Sequence, residues 1–214
     1  MASADPRQTH YRRDETALLF VDMQRIWCTP GLDPAHPERG ADHYYFRRLR
    51  QAVIPNQMWL LQAARNAHLN ILHTIIESLT ADGRDISLDH RLSNILIPKG
   101  LPAGQPIAEL TPAENEIVLP KTSSGVFNST AIDYVLRNLG TKQLIIAGVV
   151  TDQCIDMAVR DAADRGFLVT LPEDACATYT PERHQAALTA FGGYCWVTDS
   201  QTVLARLAAM GGAS

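Results

Sequence analysis

The sequence predicts an α/β fold of three layers, αβα, around a six-stranded, mostly parallel sheet with helices on both faces. Three observations lead there. Short β-rich runs alternate with helical patterns along the chain, which is the signature of βαβ units. Several of those runs are almost continuously apolar rather than alternating, as strands buried on both faces are. A chain of 214 residues, 46% hydrophobic and 20% charged, has the size and composition of a single domain with a proper core. We assign that domain to residues 16–214 and treat residues 1–15 as an N-terminal extension.

The first strand is "TALLFVDM", Thr16 to Met23, a nearly unbroken apolar run. The irregular, proline-rich segment from Thr29 to Phe46 follows, then the helical "IPNQMWLLQAARNAHL" and the second strand, "NILHTIIE", Asn70 to Glu77. A second long segment, Ser78 to Pro112, precedes "NEIVLPK", whose Pro120 is tolerable at the end of a strand and awkward inside one. Helix is expected over Asn128 to Leu139, and "KQLIIAGVV", Lys142 to Val150, is the most strand-like segment of all. A helix from about Gln153 to Arg165 leads to the strand "GFLVTLPED". Helix Pro181 to Phe191, with Thr180 as its cap, leads to "YCWVTD", and a last helix runs from about Ser200 to Met210. Gly140 and Gly166 stand where helices should end. The elements in this order make a Rossmann-like sheet, whose ligands bind at the carboxyl ends of the strands. Both long segments follow strands, so they should lie over that same end, as surface connections or as lids.

Composition excludes several classes. A net charge of −4 offers no excess of cations to neutralise phosphates, so neither nucleic acid nor an anionic membrane is an expected partner. The cluster Tyr11-Arg12-Arg13 is balanced at once by Asp14 and Glu15. The start "MASADPRQTHYRRDE" lacks the apolar segment of a secretory signal, and no run approaches the roughly 18 apolar residues of a membrane span. Cys28, Cys154, Cys176 and Cys195 are far apart, with no CxxC pair, so reduced thiols in a cytoplasmic protein are expected. No histidines are spaced as HxH, HxxxH or HExxH, and no metal or other cofactor is expected. Phosphate-binding glycine loops and the GxSxG elbow are missing as well.

Three strand ends carry reactive side chains. Asp22 follows "ALLFV", where lost hydration would suit a carboxylate to proton transfer, although it could simply cap a turn. Lys121 follows "EIVLP", as a charge partner for a carboxylate and a thiolate or as a solvated lysine at a strand edge. Cys154 follows "AGVVTDQ"; with Asp152 as N-cap it falls in the first turn of a helix, where dipole and free N–H groups would lower a thiol pKa and could bind an oxyanion. The alternative for Cys154 is a buried, inert filler. In a parallel sheet the three converge as base, cation and nucleophile. Around them, Gln24, Trp27, Glu77 and Phe127 are candidate substrate contacts. Trp27, Tyr44, Tyr45, Phe46 and Phe127 would serve equally as pocket walls or core; Glu77 could bind an amide or ureido N–H or cap a turn; Arg84 and Arg91 could bind a carboxylate or lie in solvent.

"ALLFVDMQ", "LPKTSSGVFNST" and "AGVVTDQCIDMAVRDAADRGF" together resemble the isochorismatase-like cysteine hydrolase superfamily, over about Thr16 to Leu207. The resemblance is to its amidohydrolase branch, which holds N-carbamoylsarcosine amidases, biuret hydrolases and ureidoacrylate amidohydrolases. It implies a catalytic aspartate at Asp22, a lysine at Lys121 and a nucleophile at Cys154. It further implies a cis peptide between Val149 and Val150, with the Val150 and Cys154 N–H groups as the oxyanion hole. Two departures narrow the reading. The DxH metal motif of the family's zinc-dependent nicotinamidases is replaced by Ile75-Ile76-Glu77-Ser78-Leu79-Thr80, so no metal is expected. Isochorismatases proper cleave a vinyl ether and lack the nucleophilic cysteine, which is present here. The implied activity is metal-independent, cysteine-dependent hydrolysis of an amide or ureido carbon–nitrogen bond in a small molecule, by way of a thioester. Vinyl ether hydrolysis and a catalytically silent binding or scaffold role are the alternatives, and the resemblance implies a homodimer or homotetramer.

Overall fold

In the computed structural model, residues 5–33 and 35–210 are described. Seven strands form one sheet: β1 (Thr16–Val21), β2 (Asn70–Ile76), β3 (Ile117–Lys121), β4 (Gln143–Val149), β5 (Leu168–Pro172), β6 (Cys176–Ala177) and β7 (Cys195–Thr198). Their order is β3-β2-β1-β4-β5-β7, with β6 paired to the end of β4, and every pairing is parallel. The six expected strands are all present. The seventh is the two-residue β6, too short to leave a periodic signal in the sequence.

Nine α-helices accompany the strands among the described residues: α1 (Arg25–Cys28), α2 (Tyr44–Arg48), α3 (Ile54–Asn66), α4 (Leu88–Leu92), α5 (Val126–Ser129), α6 (Ile132–Asn138), α7 (Cys154–Asp164), α8 (Pro181–Ala190) and α9 (Ser200–Met210). A π-helical turn, Leu49–Val53, joins α2 to α3. The single helix expected over Asn128 to Leu139 is instead two. The Thr130 hydroxyl donates to the Val126 carbonyl and accepts the Ile132 N–H, and the helix breaks where that side chain takes up backbone partners.

The three layers follow from the alternation of strand side chains. Ala17, Leu19 and Val21 of β1 pack with Leu144 and Ile146 of β4 against α5, α6 and α7. Leu18 and Phe20 pack with Ile145 and Ala147 on the other face, against Leu60 and Leu61 of α3 and Val203 and Leu207 of α9. Both faces of the central strands are therefore apolar, which is why β1 and β4 read as unbroken hydrophobic runs. Pro120 sits in β3, at the sheet edge, where a missing N–H deprives no neighbouring strand. Residues 5–15 pack onto the domain: Tyr11 is buried under the Arg206 guanidinium, and Gln143 bonds to Thr9 and His10. Residues 1–4 of the expected extension lie outside the described residues. No described helix is long and apolar enough to cross a membrane.

Strand order reverses between β1 and β4, and register brings their ends level. Val21 pairs with Thr74 on one side and with Gly148 on the other, while Ile76 pairs with Lys121. Polar residues at the carboxyl ends of β1, β3 and β4 are thereby gathered over one crevice. Gly148 makes the closest approach: its φ is +138°, and a β-carbon there would stand 2.2 Å from the Val21 carbonyl oxygen. Gly148→Ala is expected to destabilise the protein by about 3 kcal/mol or more, since both strain and backbone overlap oppose it. Gly166→Ala, with φ +87° and nothing within 4 Å of the added carbon, should lose only about 1 kcal/mol. Urea midpoints compare the two, and equal losses would refute the close-approach account.

Candidate active site

Asp22 is placed by the last turn of backbone after β1. Its φ is +55°, a left-handed conformation uncommon for aspartate and typical of functional positions. The Asp22 N–H donates to the Thr74 carbonyl at 3.1 Å, and its own carbonyl accepts the Gln24 N–H at 2.7 Å. The carboxylate is buried: Oδ1 accepts the Thr74 hydroxyl at 2.9 Å, and Oδ2 lies 2.9 Å from Lys121 Nζ. Lys121 is itself 0% exposed. Its ammonium donates to the Ser123 carbonyl at 2.9 Å, the Ser124 carbonyl at 3.2 Å and Cys154 Sγ at 3.5 Å. A lysine so far from water stays charged only with such partners. Burial depresses its pKa, and the charges of Asp22 and then Cys154 outweigh that, leaving it above the usual lysine value.

Cys154 is the first residue of α7. The preceding turn is held by Thr151, whose N–H donates to the Ala177 carbonyl and whose hydroxyl lies 2.9 Å from His184 Nδ1. His184 is held in turn by Arg48 and Glu173. The Val149–Val150 peptide is cis. Neither the Val150 N–H nor the Cys154 N–H has an acceptor among the described residues, so two donors beside the sulfur stay unused. Asp152 does not cap the helix, contrary to expectation: Gln153 is the cap residue, without a side-chain bond, and the Asp152 carboxylate is taken by the Thr178 hydroxyl and the Arg183 guanidinium.

The direction of the Cys154 pKa also reverses the expectation from helix position. Burial pushes the thiol up, to about 12, with Lys121 opposing and Asp22 adding to the rise. Removal from water and the facing Asp22 carboxylate thus move the thiol in the direction opposite to that expected from helix position. A thiol, a carboxylate and a bound ammonium in one buried cluster form an acid–base unit in which the carboxylate is the group able to receive the thiol's proton.

The cluster opens into a small cavity of about 60 Å³ lined by Asp22, Cys154, Val149, Val150 and Gln153, with Trp27, Arg39, Tyr45, His90 and Tyr179 among its walls. On this measure one water needs roughly 10–15 Å³, so a molecule of a few heavy atoms fits. A wider vestibule adjoins it, sharing Trp27, Asp33, Arg39 and Tyr179. Both long segments contribute walls, the first through Asp33 and Arg39, the second through His90 and Ile95.

Of the four expected substrate contacts, Trp27 alone lines the cavity. The Gln24 amide is consumed internally: it donates to the Ile76 and Gly104 carbonyls and accepts from Ile76 N–H and the Trp27 indole. It is a brace, with nothing left for a ligand. Glu77 accepts the Gly100 N–H and ties down a loop. Phe127 packs in the core against Phe167. Tyr45 and Phe46 are cavity walls, and Tyr44 is not. Arg84 and Arg91 stay at the surface, where Arg91 donates to the Arg84 carbonyl. The missed residues are Asp33, Arg39, His90 and Tyr179. Asp33, Arg39 and Tyr179 lie on irregular backbone and His90 in the short helix α4, so no strand end or long periodic pattern marked any of them.

A model of the isochorismatase domain matches residues 16–202. The chain belongs to the isochorismatase family. A cysteine hydrolase from Pseudomonas syringae pv. phaseolicola 1448A has the same fold, with a TM-score of 0.81 at 24% identity over 97% of this chain and 99% of that one. N-carbamoylsarcosine amidase from Thermoplasma acidophilum matches with a TM-score of 0.69 at 21% identity, over 87% and 96% of the two chains. Pyrazinamidase of Pyrococcus horikoshii, in complex with zinc, matches with a TM-score of 0.66 at 22% identity, over 86% and 99%. At these identities the likeness is one of fold. The donor set of this isochorismatase-family chain does not fit a zinc ion: Glu77 is engaged by Gly100, and among the described residues no three His, Cys, Asp or Glu side chains cluster as ligands.

The resting thiol gives a direct measurement. Thiolate absorbance at 240 nm, taken as the difference between the protein and its Cys154→Ser variant, should stay absent through neutral pH and rise only as pH approaches about 12. A thiolate already present at pH 7 would refute the protonated resting state.

Proposed function

We propose that this isochorismatase-family protein is a metal-independent cysteine amidohydrolase that cleaves an amide or ureido carbon–nitrogen bond of a small molecule through a thioester. One observation carries the reading: Lys121 Nζ lies 2.9 Å from Asp22 Oδ2 and 3.5 Å from Cys154 Sγ at once, so a base and a nucleophile share one buried cation.

In this mechanism Asp22 takes the Cys154 proton as the sulfur attacks the substrate carbonyl. The Lys121 ammonium holds both resulting partners, which offsets the thiolate's desolvation. The carbonyl oxygen becomes an oxyanion and accepts the two unused N–H groups of Val150 and Cys154. Losing one such donor typically slows a reaction by about a hundred- to a thousandfold. Asp22 then delivers its proton to the leaving nitrogen as the carbon–nitrogen bond breaks, releasing ammonia or an amine and leaving an acyl or carbamoyl thioester. Water, giving up a proton to Asp22, attacks the thioester. The acid or carbamate departs, and the sulfur recovers its proton from Asp22.

Cysteine chemistry separates this reading from vinyl ether hydrolysis, which needs no thioester. Cys154→Ala and Cys154→Ser, assayed on a panel of small amides and ureido acids, should lose at least about a thousandfold in ammonia release. Undiminished release by either variant would sink the nucleophile assignment, and pyruvate release from a vinyl ether substrate by wild type and Cys154→Ser alike would favour the other chemistry. A cytoplasmic homodimer or homotetramer belongs to the same proposal. Exposed Leu79, Leu88, Leu92 and Leu96 on the segment after β2 supply apolar surface for such an assembly. Light scattering after size exclusion should give two or four times 23.5 kDa, and a monomer at micromolar concentration would refute it.

A further inference from the structure

His184 is buried, and it lines neither the cavity beside Cys154 nor the vestibule beyond it. The proposed chemistry gives it no task, yet its ring is engaged at both nitrogens. Nδ1 lies 2.9 Å from the buried hydroxyl of Thr151. Nε2 lies 2.9 Å from Arg48 Nη2 and 3.2 Å from Glu173 Oε2. Arg48 ends α2, Glu173 begins the turn after β5, and His184 stands on α8, so three elements converge on one hydroxyl.

Arg48 braces the same region from a second side. Its Nε donates to the Cys176 carbonyl at 2.9 Å, and its Nη2 donates to the Glu173 carbonyl at 2.9 Å and carboxylate at 3.1 Å. Cys176 and Ala177 make up β6, and the Ala177 carbonyl accepts the Thr151 N–H at 2.9 Å. Backbone and side chain of Thr151 are thus both held by groups that Arg48 ties down.

Thr151 stands where placement counts. The carbonyl of its neighbour Val150 accepts the Gln153 and Ile155 N–H groups at 3.1 and 3.3 Å, on either side of Cys154. Those bonds pass any shift of the Val150–Thr151 backbone on to the sulfur and to the two unused N–H donors. Regular structure does not hold this turn: Gln153, at φ −134° and ψ −98°, is neither helical nor extended, and no side chain caps α7. A buried ionic network often adds little stability over apolar packing of the same volume. Misplacing reacting groups by about 1 Å, in contrast, can cost about a hundredfold in rate.

We propose that His184 is a positioning residue. Clamped by Arg48 and Glu173, it fixes the β4–α7 turn through the Thr151 hydroxyl and so places the Cys154 sulfur and the Val150 and Cys154 N–H groups. The use of those N–H groups rests on the carbon–nitrogen hydrolase reading; the placing of the sulfur does not.

Iodoacetamide labelling of the full-length protein tests that placing without a substrate. Burial is the main cause that raises the Cys154 pKa, so a loosened turn should let water reach the sulfur and speed its alkylation. Cys195, buried on β7 and outside the network, reports opening of the whole fold. Thr151→Val keeps the shape and removes the hydroxyl. It should raise the ratio of Cys154 to Cys195 labelling, read by peptide mass spectrometry, at least about threefold, and Thr151→Ser should restore it. His184→Gln, whose amide reaches the Nε2 position, should raise the ratio likewise. His184→Asn, whose amide falls at the Nδ1 position, should recover most of the difference. An unchanged or lowered ratio in Thr151→Val, or equal ratios in the two His184 variants, overturns the proposal. Ammonia release from propionamide is the second readout. In Thr151→Val and His184→Gln, kcat should fall about tenfold or more while KM changes little, because the oxyanion exists only in the transition state. Unchanged kcat in both also overturns the proposal. If wild type releases no ammonia from propionamide, the hydrolase reading fails on that amide and the labelling ratios alone decide the role of His184.

Discussion

The buried ion pair between Lys121 and Asp22 is the interaction on which the rest of the site depends. Two charges removed from water are expensive, and close geometry alone seldom compensates for that. Here the ammonium has two further carbonyl acceptors and the carboxylate a hydroxyl donor, so each ion is nearly saturated by atoms that the sheet has already fixed. The sulfur of Cys154 occupies what remains of the ammonium's surroundings. A thiol, a carboxylate and an ammonium are thereby held together beside the cavity, and their proton affinities become properties of the group rather than of any single residue.

Much of this was legible in the sequence, for a physical reason. A strand buried on both faces must be apolar for its whole length, so the first charged residue after the run marks where the chain leaves the core. Asp22 and Lys121 were found that way, and Cys154 by the strand-to-helix junction that follows β4. The same logic recovered six strands and both core faces. It missed β6, because two residues carry no period, and it joined α5 to α6, because the Thr130 hydroxyl acts through backbone bonds that composition does not display.

What the sequence hid was mainly long-range partnership. Asp152 has the right chemistry for a helix cap, yet Thr178 and Arg183 arrive from a distant segment and claim it. Gln24 has the right position for a substrate contact, yet all its bonding capacity goes to Ile76, Gly104 and Trp27. The pKa of Cys154 turns on the competition between a local helix effect and the burial and Asp22 charge that only the folded chain creates. Arg39, Tyr45 and Tyr179 come from segments that read as irregular or as ordinary packing, and their meeting around one cavity depends on how those segments fold over the sheet.

The missing side chain at Gly148 has a consequence for how such a protein can change. Because β4 lies against Val21 with no room for even a methyl group, the spacing of Asp22 and Cys154 is a dimension of the main chain. The other cavity walls come from elsewhere, chiefly from the segments after β1 and β2. The Asp22–Lys121–Cys154 cluster and the walls around it are therefore built from separate parts of the molecule. Under the proposed hydrolysis, loops can be exchanged to suit a new substrate while the cluster keeps its distances, so a lineage built on this scaffold is free to diversify in what it accepts without rebuilding its centre.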